Sequence, residues 1–407
     1  MKLVVSSDSG NARGTVRVQG SIDSAEGTRN IWFDLPDDAD PGPAPSGNPW
    51  ITLLLPYAMQ TGERIDLELP VDPLLLENAR QLVDIWRSWY PELKPPEIRA
   101  PVRRAMPTVG RIAQFFSGGV DSWFTLLRHT ESTPRFPQVG EVDDLITVWG
   151  FDIPIGRPEE FQQLSESLRE VAEQFGKRHV LVATNLRAVR DEMEGGAWKA
   201  AWGPRWGSLS HGAALASVAL FFERNYQQVK IGSTLCTRLG TFPPWGSHPM
   251  TDMLFSTSAT AFMHDHAVYS RAEKMERIAE SDYAMSKLKV CFTGGTFKNC
   301  SRCAKCHRTM MSFDIIGVLD KATSFDVSHY RDNRRRLLLV WSAVDQAFAQ
   351  ANRDLALRRG RWDVVKLIDD SIVKSRRVKS LTEPLRKLSW RVWDAAYREL
   401  TSGMVGA

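Results

Sequence analysis

Between about residues 106 and 325, apolar runs of strand length alternate with stretches of helical period, which restricts the chain to a parallel sheet with helices on both faces. Residues 111–116, 145–151, 179–183 and 229–232 read as buried strands, and residues 122–128, 159–175 and 210–222 read as helices between them. A preceding segment, residues 1–105, carries short alternating runs at 15–18, 30–35, 50–55 and 64–69, each bounded by Gly, Pro, Asp or Ser, and is expected to be a small β-rich domain. Within it, residues 41–47 read as a Pro- and Gly-rich loop, and residues 73–89 as a helix with Leu75, Leu76, Ala79, Leu82, Val83 and Trp86 on one stripe. Pro95, Pro96 and Pro101 mark a linker, and from about residue 326 the period is helical to the end. The expected division is therefore 1–105, 106–325 and 326–407.

A composition of 43% hydrophobic and 25% charged residues excludes disorder and fibrous repeats for the bulk of the chain. The longest apolar stretch, residues 51–59, is broken by Pro56 and falls short of the roughly 20 residues a membrane span needs. Residues 1–5 run directly into Ser6, Ser7 and Asp8 without an apolar signal core, so the expected location is cytoplasmic. Net charge is only +4, but it is unevenly spread. Residues 1–100 hold 9 Lys and Arg against 15 Asp and Glu, and residues 328–407 hold 17 against 9. The basic end, with Arg331, Arg334, Arg335 and Arg336, suits nucleic acid or an acidic protein surface, or it is a set of solvated helix faces.

Two motifs carry chemistry. Ser117-Gly118-Gly119-Val120-Asp121-Ser122 follows one expected strand and opens an expected helix. Glycines let backbone N–H groups crowd an anion, and the helix start aims its unpaired N–H groups and positive dipole end at the same point. Asp121 belongs beside a phosphate only with a cation between them, so it reads as a Mg²⁺ ligand; the alternative for the string is a simple turn. The Gly-x-x-x-x-Gly-Lys spacing of a Walker loop is missing. The second motif is Cys291, Cys300, Cys303 and Cys306, four of the five cysteines within sixteen residues. Four thiolates at this spacing close a tetrahedral Zn²⁺ site, with iron–sulfur ligation the rival. Cys236 stands apart, as a small buried hydrophobe or as a nucleophile.

The glycine string resembles the pyrophosphate (PP) loop of the N-type ATP pyrophosphatases, whose fold is a Rossmann-like parallel sheet. Together with the late cysteines it is similar to the QueC-like 7-cyano-7-deazaguanine synthases. That resemblance covers about residues 106–325. Gly150-Phe151-Asp152 resembles the family's adenosine-holding Phe-Asp, Ile231-Gly232-Ser233 and residues 243–252 its substrate loop, Arg271 to Lys274 a helix start near the nucleotide, and Cys306-His307-Arg308 its closing Cys-x-Arg. It implies ATP contacts at Phe116, Ser117, Gly118, Gly119, Val120, Asp121, Ser122 and Asp152, substrate contacts at Ser233, Asp252 and Arg308, and catalytic roles for Asp121 and Lys274. The family's arginine before the third helix is replaced here by Leu209-Ser210-His211-Gly212, so His211 either takes over a phosphate contact or is an ordinary helix-start histidine. Trp198, Trp202 and Trp206 share one helical face, which means packing or a stacking platform.

With long extensions on both sides, the chain looks more like the QueC-like proteins of bacterial anti-phage systems of the Qat and type IV CBASS kinds. The resemblance implies an ATP-, Mg²⁺- and Zn²⁺-dependent enzyme that adenylates a 7-carboxy-7-deazaguanine carboxylate, releases pyrophosphate, and forms an amide with an amine of a protein partner. Nitrile formation from ammonia and a non-catalytic ATP-binding subunit are the alternatives. The acidic N-terminal segment then suits a docking surface, with stabilisation or dimerisation as the other reading.

Overall fold

In the computed structural model, ten strands form one sheet in the order β10-β9-β6-β7-β8-β3-β2-β1-β4-β5. The structure describes residues 1–9, 14–37, 46–106, 110–191, 205–234, 236, 243–291, 298–344 and 346–386. The strands are β1 (Lys2–Ser9), β2 (Thr15–Ser24), β3 (Gly27–Pro36), β4 (Ile65–Asp66), β5 (Ile98–Arg99), β6 (Arg111–Phe115), β7 (Asp144–Trp149), β8 (Arg178–Thr184), β9 (Tyr226–Gly232) and β10 (Ala261–Asp265). Strands β10, β9, β6, β7 and β8 are mutually parallel, as the strand–helix alternation requires. Strands β3, β2 and β1 are antiparallel and extend the same sheet, with Phe33 and Asp34 of β3 pairing with Thr184 and Ala183 of β8.

The chain divides into two compact units. The first comprises Met1–Ser117 and Thr125–Val268; the second comprises Gly118–Phe124 and the chain from Tyr269 onward. The whole sheet belongs to the first unit, with helices α1 (Asn48–Thr61), α2 (Pro73–Trp89), α4 (Pro158–Gln174), α5 (Leu186–Asp191) and α6 (His211–Leu220). Helix α3 (Val120–Thr130) begins in the second unit and ends in the first. The second unit is helical: α7 (Arg271–Ala279), α8 (Asp282–Lys287), α9 (Ala304–Ile316), α10 (Val327–Val344), α11 (Gln346–Arg358) and α12 (Trp362–Arg386). Among the described residues no helix is long and apolar enough to cross a membrane.

One sequence expectation is overturned. Residues 50–55 are not a strand but the middle of α1. Every residue from Asn48 to Met59 is buried, so neither a period of two nor of 3.6 shows in the pattern. The helix signals lie at its ends: Pro49 in the first turn, and Gly62 at φ +76° donating its N–H to the Ala58 carbonyl. Helix α1 packs its Trp50 against Phe33 of β3 and against Phe221, with ring centroids 6.0 and 5.7 Å apart. A Cβ at Gly20 would meet that indole at 2.5 Å, so β2 passes Trp50 only as glycine. The expected strand at 64–69 shrinks to Ile65–Asp66. Most of the 41–47 loop, and Trp198 and Trp202, lie outside the described residues.

Candidate functional site

The glycine string takes the form its sequence implies. Phe116 continues the β6 pairing, its N–H donating to the Ile146 carbonyl at 2.8 Å and its carbonyl accepting from Thr147 Oγ1 at 2.9 Å, while its ring is core. Gly118 has φ +75°, a left-handed turn that spares a side chain its usual penalty. Helix α3 follows at once, and the Gly119 carbonyl accepts from Trp123 N–H at 2.9 Å and from Ser122 Oγ at 3.0 Å. Val120 and Ser122 are buried, and Ser117 stands exposed at the end of the first unit's segment.

Within the second unit, Asp121 in the first turn of α3 accepts from Arg271 Nη1 and Lys274 Nζ, each at 3.1 Å. Both cations come from the start of α7, which is fixed by a capping box: Ser270 Oγ accepts from Glu273 N–H, and Glu273 Oε2 accepts from Ser270 N–H. The Gly118 carbonyl accepts from Lys289 N–H at 2.8 Å, and Trp123 meets Tyr283 edge to face. Thus one carboxylate, two cations and a fresh helix start converge on the loop, with Lys274 only 2% exposed at its side chain. Arg271, the partner of Asp121 alongside Lys274, is the residue whose role the sequence reading did not single out.

The first unit holds a second constellation. Ser233 follows β9, and its Oγ lies 2.7 Å from His264 Nε2. His264, in β10 opposite Ile231, places its Nδ1 2.7 Å from Asp252 Oδ2. That carboxylate also accepts from Ser247 Oγ at 2.6 Å and from His248 N–H at 3.0 Å. The result is a serine–histidine–carboxylate relay at the carboxyl end of parallel strands, the edge where open α/β sheets carry their ligands. Ser233 and Asp252 were expected substrate residues; His264, which joins them, was not singled out. A His-Asp pair closing a short apolar run at residues 261–265 was the available signal.

His211 opens α6 beside this relay, after a π-type turn at Trp206–Ser210, and its buried Nδ1 has no partner among the described residues. Burial pushes its imidazole down from the ordinary histidine range, against the pull of Asp252 and Asp152. Trp206 meets the Phe151 ring edge to face at 5.1 Å, which is packing. Asp152 is exposed beyond β7, where Gly150, at φ +104°, turns the chain. A Cβ there would lie 2.0 Å from the Thr184 carbonyl oxygen. Arg308 belongs to the second unit, where its guanidinium stacks 3.6 Å from the Phe348 ring centre.

The four cysteines converge as their spacing implies. Cys306 Sγ lies 3.3 Å from Cys291 Sγ and 3.8 Å from Cys300 Sγ, and all four sulfurs fall within 4.8 Å of one another. Tetrahedral Zn²⁺ with bonds of about 2.3 Å sets sulfurs roughly 3.8 Å apart, so the cluster could hold a metal such as zinc. Backbone N–H groups of Cys300 and Cys303 point at the sulfurs of Cys291 and Cys300, and Ser301 turns the loop at φ +57°. Asn299 pins the loop by accepting from Val290 N–H and donating to the Leu288 and Ser324 carbonyls. Cys236 is buried in the first unit, its thiol 3.6 Å from the Val268 carbonyl. No family model, no curated protein and no solved structure matches the chain.

Proposed function

We propose that the chain is an ATP-dependent, AMP-forming C–N ligase of the PP-loop kind. It adenylates a 7-carboxy-7-deazaguanine-type carboxylate, releases pyrophosphate, and passes the acyl group to an amine of a protein partner in anti-phage defence. The observation that carries this reading is Asp121 in the first helical turn after Gly118-Gly119, paired with both Arg271 and Lys274. Backbone N–H groups and two cations suit the phosphates of ATP, whose binding recruits Arg271 and Lys274 from the carboxylate. The donor set fits Mg²⁺ in the manner common for that ion, one carboxylate plus phosphate oxygens, with Asp121 as the protein ligand; bound there, it would neutralise charge on the leaving pyrophosphate.

The substrate carboxylate oxygen attacks the α-phosphorus, and pyrophosphate leaves. The amine nitrogen then attacks the acyl carbon of the adenylate and AMP departs. The attacking amine must be neutral, so an ammonium first releases its proton to solvent. Ser233 and Asp252 are assigned to the substrate, and Phe116, Ser117, Gly118, Gly119, Val120, Ser122 and Asp152 to ATP, on the strength of the resemblance; the cysteine cluster is assigned a structural Zn²⁺.

The test is pyrophosphate release from ATP·Mg²⁺ and 7-carboxy-7-deazaguanine. Wild-type chain should release it, and Asp121→Ala should do so about 10²-fold more slowly while keeping its fold. Absence of release by the wild type, or near-normal release by the variant, overturns the reading. Mass analysis of co-expressed proteins separates amide transfer from nitrile formation.

A further inference from the structure

We infer that His129, Asp265 and His266 form a second metal site, which takes a divalent transition ion through two imidazoles and one carboxylate. All three residues belong to the first unit. His129 lies in the last turn of α3, Asp265 ends β10, and His266 is the next residue. His129 Nε2 sits 3.1 Å from Asp265 Oδ1, and His266 Nδ1 sits 2.5 Å from Asp265 Oδ2. One donor atom from each residue falls within 4.8 Å of the other two, and the two rings meet edge to face with centroids 5.3 Å apart. Metal bonds of about 2.0–2.2 Å to nitrogen and oxygen span such separations with small side-chain shifts.

The backbone gives an independent reason. Successive residues of a strand point to opposite faces, so Asp265 and His266 would diverge if β10 ran on. His266 instead adopts φ +57°, which brings its ring back to the carboxylate. Glycine takes that conformation freely and histidine does not. A histidine held where glycine would fit better is held for its side chain, and such strain collects at ligand sites.

Burial and charge agree. The side chains of His129, Asp265 and His266 are 3%, 1% and 13% exposed, so the carboxylate is removed from water between two imidazoles. Lys230 of β9 feels the Asp265 charge, yet its ammonium donates to Gln228 Oε1 and to the Met263 sulfur. Nitrogen and oxygen donors also distinguish this set from the four cysteines: thiolates favour Zn²⁺, whereas imidazole with carboxylate accepts Co²⁺ as readily. A bound ion would tie the end of α3 to the end of β10.

The experiment is a Co²⁺ titration of untagged, zinc-loaded full-length chain, followed by metal analysis and visible absorption. One additional equivalent of Co²⁺ should bind, with d–d bands and no sulfur-to-cobalt charge transfer. His266→Gly should weaken that binding by at least about tenfold. Because glycine suits the backbone there, this variant should keep or raise the wild-type Tm in the presence of chelator, while losing the Co²⁺-dependent rise. His129→Ala provides a second removal of one donor from a different element. Absence of a saturable equivalent, or identical affinity in His266→Gly, would show a buried histidine–carboxylate cluster only and overturn the inference.

Discussion

Gly212 illustrates how much one hydrogen atom decides. A Cβ there would lie 2.1 Å from the Gly246 carbonyl oxygen and 3.2 Å from Asp252 Oδ1, while the Gly212 N–H donates to that same carbonyl at 2.9 Å. Backbone cannot yield as a flexible side chain does, so Gly212→Ala should cost about 1–3 kcal/mol of stability. Thermal unfolding followed by tryptophan fluorescence should show a lower Tm; an unchanged Tm would mean that α6 and the 243–252 loop separate without cost. His179 gives the pH counterpart. Burial, helped by Arg169, lowers its imidazole to about 4. Above about pH 6.5, the ordinary histidine value, both folded and unfolded chains hold it neutral. As pH falls from about 6.5 to about 4, the unfolded chain takes up a proton that the folded chain refuses, and about 3 kcal/mol of stability is lost. Urea unfolding across this window should show His179→Asn declining less steeply than wild type, and equal slopes would refute the assignment. At this scale sequence reading reached Asp121, Ser233 and Asp252 but not His264. Its relay joins residues 31 and 12 positions away: the β9–β10 pairing sets Ser233 beside His264, and the turn beginning at Asp252 brings the carboxylate to the same ring.

At the scale of elements, a pattern was readable wherever one face of a segment meets water. Helix α2 shows its apolar stripe, and it buries Leu75, Ala79, Leu82, Val83 and Trp86 of that stripe together with Asn78. Helix α1 shows no stripe because it is enclosed on all sides, and its apolar run read as a strand. The cysteine loop is the opposite case, since its ligands are close in sequence and need no distant strand to assemble them. Cys303→Ser removes one donor from a closed set, so the chain should purify with about one Zn²⁺ fewer and unfold at a lower temperature. A variant with wild-type metal content and Tm would exclude the four-thiolate site, and an iron chromophore in the wild type would replace zinc.

For the whole molecule, the N-terminal segment is the main lesson. Its runs at 15–18 and 30–35 were legible as strands, but β3 pairs with β8, and Phe33, Trp50 and Phe221 join β3, α1 and the end of α6 in one core. Removing residues 1–100 takes away β1 to β5, α1 and α2. It leaves β8 as an open edge beside bared apolar surface. The expected product is aggregated on size-exclusion chromatography. A monodisperse truncated chain with native far-UV circular dichroism would show that the parallel strands stand without it, and would return the segment to a docking role.

What the sequence by itself determined is local: the strand–helix alternation, the glycine turn before α3, the proximity of four sulfurs, and any element with an amphipathic face. These depend on residues a few positions apart, whose geometry is set by backbone sterics and helical or strand period. Only the tertiary structure decided that the antiparallel N-terminal strands complete the parallel sheet, that Asp121 pairs with Arg271 and Lys274, and that Ser233, His264 and Asp252 form a relay. Those choices depend on which buried faces fit each other across long separations in the chain, and side-chain patterning says that a face is buried without saying against what.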